Sequence, residues 1–210
     1  MPKTPEENPK NRVSRRWFMK GFGTSVAAAS LSGGLAVMGE STALAAESSP
    51  ALGPDAVPLT LTVNGKTYSV TAEPRETLLE VLRHRLDITG PKLICDRGAC
   101  GGCTVYLDGR TVYACMTLAV EAQGREIVTI EGLAPAGALH PVQQAFMEED
   151  AMQCGFCTPG FVMSMAAVLD ADPSAGLDEV REGIAGHVCR CGTYAQIFKA
   201  AENARRKMGG

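Results

Sequence analysis

The sequence predicts an α+β fold in two halves, a small sheet packed on one helix and then a purely helical region. Three observations carry that prediction. Two alternating apolar–polar runs each fold back at a two-residue turn, Asn64-Gly65 and Asp108-Gly109. Past Gly132-Leu133-Ala134-Pro135 the alternation gives way to a helical period. Eight cysteines in 210 residues fall into two sets of four, one set in each half.

The elements follow in order. Leu59, Leu61 and Val63 alternate with Thr60 and Thr62, and Lys66 to Val70 returns after the first turn. Thr77 to Leu86 places Leu78, Leu79, Leu82 and Leu86 on one helical face. A glycine-rich stretch runs from Gly90 to Gly102. Thr104–Leu107 and Arg110–Tyr113 form the second hairpin, and Ile127–Ile130 reads as a last short strand. Residues 57–134 make up this sheet half. In residues 135–210, Pro141 opens a helix over 141–150 with Val142, Ala145 and Phe146 on one face. Thr158 caps and Pro159 opens a helix reaching Asp170, and Asp172-Pro173-Ser174 breaks it. Asp178 caps 179–187, and Thr193 caps a final helix to Lys207. The four helices form two pairs with a cysteine doublet at each joint, an approximate internal repeat.

The charge is unevenly spread. Residues 1–45 carry Lys3, Lys10, Arg12, Arg15, Arg16 and Lys20 against Glu6, Glu7 and Glu40, a balance of +3 that leaves −6 on the rest. An acidic body of this kind excludes a protein that wraps nucleic-acid phosphates. Within the basic segment, Ser14-Arg15-Arg16-Trp17-Phe18-Met19-Lys20 precedes a soft apolar stretch from Gly21 to Met38, and Ala43-Leu44-Ala45 supplies an A-x-A site. The order resembles a Tat-type export signal, cleaved after Ala45. It predicts a periplasmic protein with no stable membrane insertion after cleavage. Its glycines and Glu40 argue against a retained anchor. Residues 46–56 are small, Pro-punctuated and aperiodic, a linker. Tat-type export carries folded proteins. The cysteines of such a chain first meet a reducing compartment, where clustered thiols more often bind metal than form disulfides.

Cys95, Cys100 and Cys103 have C-x4-C-x2-C spacing, with Cys115 just beyond the second hairpin. This is the plant-type arrangement for a [2Fe-2S] cluster. A tight loop delivers three sulfurs to one place if its backbone is glycine-rich, and amides at Gly98, Gly101 and Gly102 are free to hydrogen-bond sulfur. Zinc sites more often show two C-x2-C doublets. The second set, Cys154 and Cys157 with Cys189 and Cys191, is ambiguous by spacing alone: a cluster or zinc fits. A thioredoxin-like dithiol does not, since the flanks are helical rather than βαβ. Both doublets precede helices whose N-terminal dipoles favour a group that grows more negative on reduction.

Three blocks, Cys95-Asp96-Arg97-Gly98-Ala99-Cys100-Gly101-Gly102-Cys103-Thr104-Val105, Gln153-Cys154-Gly155-Phe156-Cys157-Thr158-Pro159-Gly160 and Cys189-Arg190-Cys191-Gly192-Thr193-Tyr194, resemble the motifs of the xanthine oxidase family. Within it they resemble the small two-cluster subunit of molybdenum hydroxylases, periplasmic aldehyde oxidoreductases in particular, over about residues 57–207. The resemblance implies a ferredoxin-like β-grasp domain followed by a four-helix-bundle-like domain, and it implies that the second set also holds a [2Fe-2S] cluster. It further implies a large partner subunit carrying molybdopterin, in its cytosine dinucleotide form, with Gln153 and Cys191 against the pterin. Electrons would leave through the ferredoxin-like cluster toward FAD on a medium subunit, or toward a cytochrome. The expected function is electron relay during oxidation of aldehydes to carboxylic acids. The alternatives are an isoquinoline oxidoreductase-like N-heterocycle hydroxylase subunit and a free-standing exported ferredoxin. Three positions depart from the pattern: Ile94 stands where many relatives have Gly, Gly102 replaces a common Ala, and His187-Val188 replaces Asn-Leu.

Other residues offer less. His84, His140 and His187 are scattered and read as helix-face or loop residues rather than ligands. Arg97 and Arg190 read equally well as surface charges or as electrostatic neighbours of the thiols, and Glu148-Glu149-Asp150 as a wet helix end. No paired carboxylates, nucleophile–base pair or phosphate loop is visible, so no residue is assigned a bond-making catalytic role.

Overall fold

The structure, a computed structural model, describes residues 52–134 and 137–209. The export-type segment and the linker as far as residue 51 lie outside the described residues. Five strands form one mixed sheet: β1 (Val57–Val63), β2 (Lys66–Ala72), β3 (Thr104–Leu107), β4 (Arg110–Tyr113) and β5 (Glu126–Val128). Their order is β2-β1-β5-β3-β4. β1–β2 and β3–β4 are antiparallel hairpins, and β5 pairs parallel with β1 and antiparallel with β3. The turns close as their residues require. Asn64 and Gly65 have φ of 52° and 73°, Asp108 and Gly109 49° and 76°, so both central residues of each turn are left-handed.

Helix α1 (Leu78–His84) lies on this sheet. Thr77 and Glu80 form a reciprocal capping box: Glu80 N–H donates to Thr77 Oγ1 (3.2 Å) and Thr77 N–H to Glu80 Oε2 (2.8 Å). The helix ends two residues before the predicted Leu86. There Leu86 N–H closes back on Val81 O and Asp87 turns left-handed at φ 56°. Leu86 still packs on the sheet core with Leu61, Leu82 and Ile127. Each fully buried side chain of this size contributes about 1.5–3 kcal/mol. β5 is shorter than predicted, because Thr129 N–H leaves the ladder for Asn64 Oδ1 at 2.9 Å and Ile130–Gly132 tightens into a 3₁₀ turn.

The second half has four helices: α2 (Pro141–Glu148), α3 (Thr158–Ala171), α4 (Leu177–Gly183) and α5 (Tyr194–Met208). Their core gathers Val142, Phe146, Phe161, Met165, Leu169, Ile184 and Ile197. Three capping predictions fail, for local reasons. α3 starts at Thr158 with Cys157 at its N-cap, and α4 is capped by Gly176 rather than Asp178, which instead pairs with Arg181 at 3.0 Å. Thr193 does stand at the N-cap of α5, but its hydroxyl makes no capping bond. α4 also stops at Gly183, four residues early. Ala185 and His187 close short turns on Glu182 O and Ile184 O, which carry the chain inward.

The two halves form one compact unit. Tyr106 of β3 donates its hydroxyl to Met163 O of α3 (2.8 Å). A Cβ at Gly160, in the first turn of α3, would run into Gly101 O, with Gly101 C at 2.9 Å and Gly102 Cα at 3.1 Å. Backbone therefore touches backbone where the two cysteine-bearing segments meet.

Candidate metal centres

The first thiol set sits on the loop between α1 and β3 and on the 3₁₀ turn Ala114–Met116 after β4. Loop geometry depends on left-handed residues, Asp96 at φ 54°, Gly98 at 68° and Gly101 at 71°. They turn amides toward sulfur: Gly98 N–H donates to Cys115 Sγ (3.4 Å) and Ala99 N–H to Cys95 Sγ (3.3 Å). Burial alone would raise Cys95. The amides of Arg97, Ala99 and Cys100 and the Cys100 thiol outweigh it and hold Cys95 down to about 7. Cys103 is pushed up to about 12, by burial first and by its neighbour Cys115 second. Cys100 is raised by burial and by Cys95.

The second set joins two turns that precede helices. Cys157 and Cys189 are buried, whereas Cys154 and Cys191 are exposed. Each exposed cysteine is followed by a glycine at φ 81°, Gly155 and Gly192. The predicted repeat is thus visible as a pair of matching Cys-Gly turns. Cys157 is pushed up to about 12 by burial, with Cys189 and Cys154 adding to it. For Cys189, burial is outweighed by the Thr193 hydroxyl and amide, the Cys157 thiol and the Gly192 amide, which bring it down to about 7. Thr193 Oγ1 lies 3.1 Å from Cys189 Sγ, which is why it does not cap α5. Tyr194 accepts the Cys189 N–H on its hydroxyl at 2.9 Å.

Six of the eight thiols meet two by two, Cys95 with Cys100, Cys103 with Cys115, and Cys157 with Cys189. A binuclear cluster takes thiolates in pairs, one pair per iron, so the donors fit two-iron clusters. A second observation agrees. Thr158 Oγ1, next to Cys157, is buried without a hydrogen-bond partner. A hydroxyl so placed is free to donate to a cluster sulfur within its reach.

The departures noted in the loop are one exchange. A methyl at residue 102 would displace the Ile94 Cδ1 that occupies its place. The amide prediction is met at Gly98 and at Gly102, whose amide works against the rise of Cys100, while Ala99 contributes an amide that glycine content did not single out. Gln153 is exposed next to Cys154, and half-exposed Phe156 (55%) and Val188 (52%) are the large apolar side chains of these turns. His84 ends α1 in solvent, and His140 caps α2 and contacts Asp170 at 3.1 Å. His187 is a loop residue, as one of its two readings had it, but a buried one: it is 7% exposed between the two halves, and burial lowers its basicity. A helical reading of 179–187 could not show this, because the turn after Gly183 is what brings the imidazole inside. Two crevices of about 530 Å³ each lie around Glu73 and Arg75 and have no cysteine in their walls.

A β-grasp sheet with one set of four thiols, joined to a helical bundle with another, defines a protein with two [2Fe-2S]-binding domains. Comparison with known proteins agrees. Residues 61–129 match the family described as "2Fe-2S iron-sulfur cluster binding domain", and residues 129–202 match "[2Fe-2S] binding domain". The iron–sulfur-binding subunit of an Escherichia coli aldehyde oxidoreductase is 46% identical over 72% of each chain. The small subunit of nicotine 6-hydroxylase from Paenarthrobacter nicotinovorans is 44% identical over 74% of this chain and 93% of its own. A chain of quinoline 2-oxidoreductase from Pseudomonas putida 86 superposes with a TM-score of 0.66 at 39% identity, covering 72% of this chain and 98% of that one. The aldehyde oxidoreductase of Desulfovibrio desulfuricans gives 0.67 at 38% identity over 71% of this chain, which spans 17% of that much longer protein. The chain belongs to the two-cluster [2Fe-2S] subunits of the molybdenum hydroxylase, or xanthine oxidase, family.

Proposed function

We propose that this chain is the exported electron-relay subunit of a molybdenum hydroxylase. Cys95, Cys100, Cys103 and Cys115 hold one [2Fe-2S] cluster, and Cys154, Cys157, Cys189 and Cys191 hold the other. The clusters supply one-electron redox chemistry; this chain's residues bind them, shield them and set their potentials. The observation that carries the reading is the asymmetry of the second set. Cys154 and Cys191 are exposed beside Gln153, Phe156 and Val188, a face that only another surface can close. A large subunit bearing molybdopterin fits there, with Gln153 and Cys191 toward the pterin. The loop with exposed Asp96 and Arg97 is left to face FAD on a medium subunit, or a cytochrome. Aldehyde oxidation follows the E. coli relative, and the Arg15-Arg16 segment would direct the assembled complex to the periplasm. The relatives named for quinoline and nicotine support a second reading of the substrate, an aromatic N-heterocycle.

Electron paramagnetic resonance on the anaerobically reduced full chain tests the core of this reading. Two distinct rhombic signals with matching iron and sulfide are expected, and bound zinc or no signal would refute both cluster assignments. Affinity capture of the full chain should bring down a large molybdenum-containing subunit. Arg15→Lys with Arg16→Lys should leave that complex in the cytoplasm.

A further inference from the structure

One buried side chain touches both cysteine-bearing segments, and it belongs to neither ligand set. The His187 imidazole lies against Gly101, where a Cβ would strike its Cδ2 and Nε2. Gly101 stands between Cys100 and Cys103. His187 Nε2 is 3.1 Å from Thr104 Oγ1, on the residue after Cys103, and 3.0 Å from Ser164 Oγ on α3. Phe161 of α3 packs on the ring at 5.2 Å between centroids, and Tyr113 meets it edge-on at 6.2 Å. The next residue, Val188, donates its N–H to Cys100 O at 3.1 Å, and Cys189 follows directly.

Thr104 Oγ1 also donates to Gly101 O at 2.7 Å, so Nε2 sits in a buried row of hydroxyls, while Nδ1 is buried without a hydrogen-bond partner. Which ring nitrogen carries the hydrogen depends on the tautomer. In either tautomer Nε2 lies between two hydroxyls from the two halves of the molecule.

We propose that His187 is a positioning residue for electron transfer between the two clusters: its Nε2 contacts with the Thr104 and Ser164 hydroxyls pin the Cys100–Cys103 loop against the turn carrying Cys189, and so hold Val188 N–H on Cys100 O as a backbone link between the ligand sets. The proposal rests on the cluster assignment made above. The step it serves moves one electron. One cluster is oxidised and the other reduced, and no bond is made or broken and no proton is displaced. What His187 controls is the separation and orientation of the two loops, to which such transfer is sensitive as all positioned reactions are.

The test uses the full chain with both clusters, fully reduced, and reads the magnetic splitting between their resonance signals at low temperature. His187→Leu is expected to keep the full iron content and both signals but to lose or alter the splitting. His187→Gln, which retains an N–H donor, should restore it in part. Thr104→Val with Ser164→Ala removes the two hydroxyls that Nε2 contacts while leaving His187 in place, and should alter the splitting even if His187→Leu does not fold. Unchanged splitting in either iron-replete variant overturns the proposal. Absence of cluster signals from the unaltered protein would instead overturn the cluster assignment.

Discussion

In the sheet half, three of the four thiols hang from one loop, Cys95 to Cys103, and Cys103 and Cys115 are buried against the core of their own domain. In the helical half the thiols come from two separate turns, and Cys154 and Cys191 remain at the surface. The first site is closed by its own domain around Cys103 and Cys115 and is half-buried at Cys95 and Cys100. The second is closed on one side by the helical core, which includes Cys157 and Cys189, and left open on the other. The difference is one of degree: the sheet-half site is open along its loop, where Asp96, Arg97 and Ala99 are exposed, and the helical-half site is open at two of its thiols themselves.

Ligand removal should break the comparison most sharply. Cys103→Ser places a hydroxyl among Leu61, Val105 and Ala114 and removes a cluster that ties the loop to the 3₁₀ turn. It is expected to abolish the first cluster and to lower the unfolding free energy by several kcal/mol, about 4 or more. Cys191→Ser should abolish only the second cluster, with iron falling to about half and the unfolding midpoint little changed. Urea titration with iron analysis on both variants distinguishes them. Equal destabilisation would mean that the two sites are equally integral to folding.

Much of this contrast was legible in the sequence, and the part that was not has a physical cause. The hairpins at Asn64-Gly65 and Asp108-Gly109 were legible because a type I′ turn demands those residues. The first thiol set was legible because C-x4-C-x2-C in glycine-rich surroundings is a plant-type spacing, whereas the second was ambiguous by spacing alone and took its reading from the resemblance. Thr158, Asp178 and Thr193 were misread because a cap is a competition. Thr193 has cysteine sulfur within reach and prefers it, and Thr158 is displaced inside the helix by Cys157. Gly160 gave no signal beyond its place in a cysteine block, and His187 stood out only as a departure from the family pattern. Their roles come from a contact between segments 59 and 86 residues apart, Gly160 against Gly101 and His187 against Gly101, which no local pattern encodes.

That contact is the next thing to break. Gly160→Ala pushes a methyl into Gly101 O, a backbone atom held in the ligand loop, so relief requires the two halves to separate. Overpacking of this kind costs about 1–3 kcal/mol, and it should also weaken the splitting between the reduced clusters. Gly155→Ala and Gly192→Ala meet open space and differ only in their left-handed φ of 81°. Each should cost about 1–2 kcal/mol from backbone strain and leave the splitting intact. A Gly160→Ala protein with undisturbed splitting would show that the two halves touch without being coupled.

The smallest effect compares two threonines on the second site. Thr193 Oγ1 is already engaged with Cys189 Sγ, while Thr158 Oγ1 is buried with no partner among the described residues. Hydrogen bonds to cluster sulfur stabilise the more negative, reduced state and raise the potential. Thr193→Val should therefore lower the potential of the second cluster and leave the first where it was. If Thr158 also donates to that cluster, Thr158→Val lowers the same potential in the same direction. Its effect on the metal-free chain should have the opposite sense, since replacing an unsatisfied hydroxyl by a methyl of the same shape is neutral or slightly stabilising, by about 1 kcal/mol at most. Redox titration followed by resonance, set beside urea midpoints of the metal-free chain, reads both. A Thr158→Val variant with unchanged potential would place its hydroxyl outside the reach of the cluster, leaving Thr193 as the hydroxyl that tunes it.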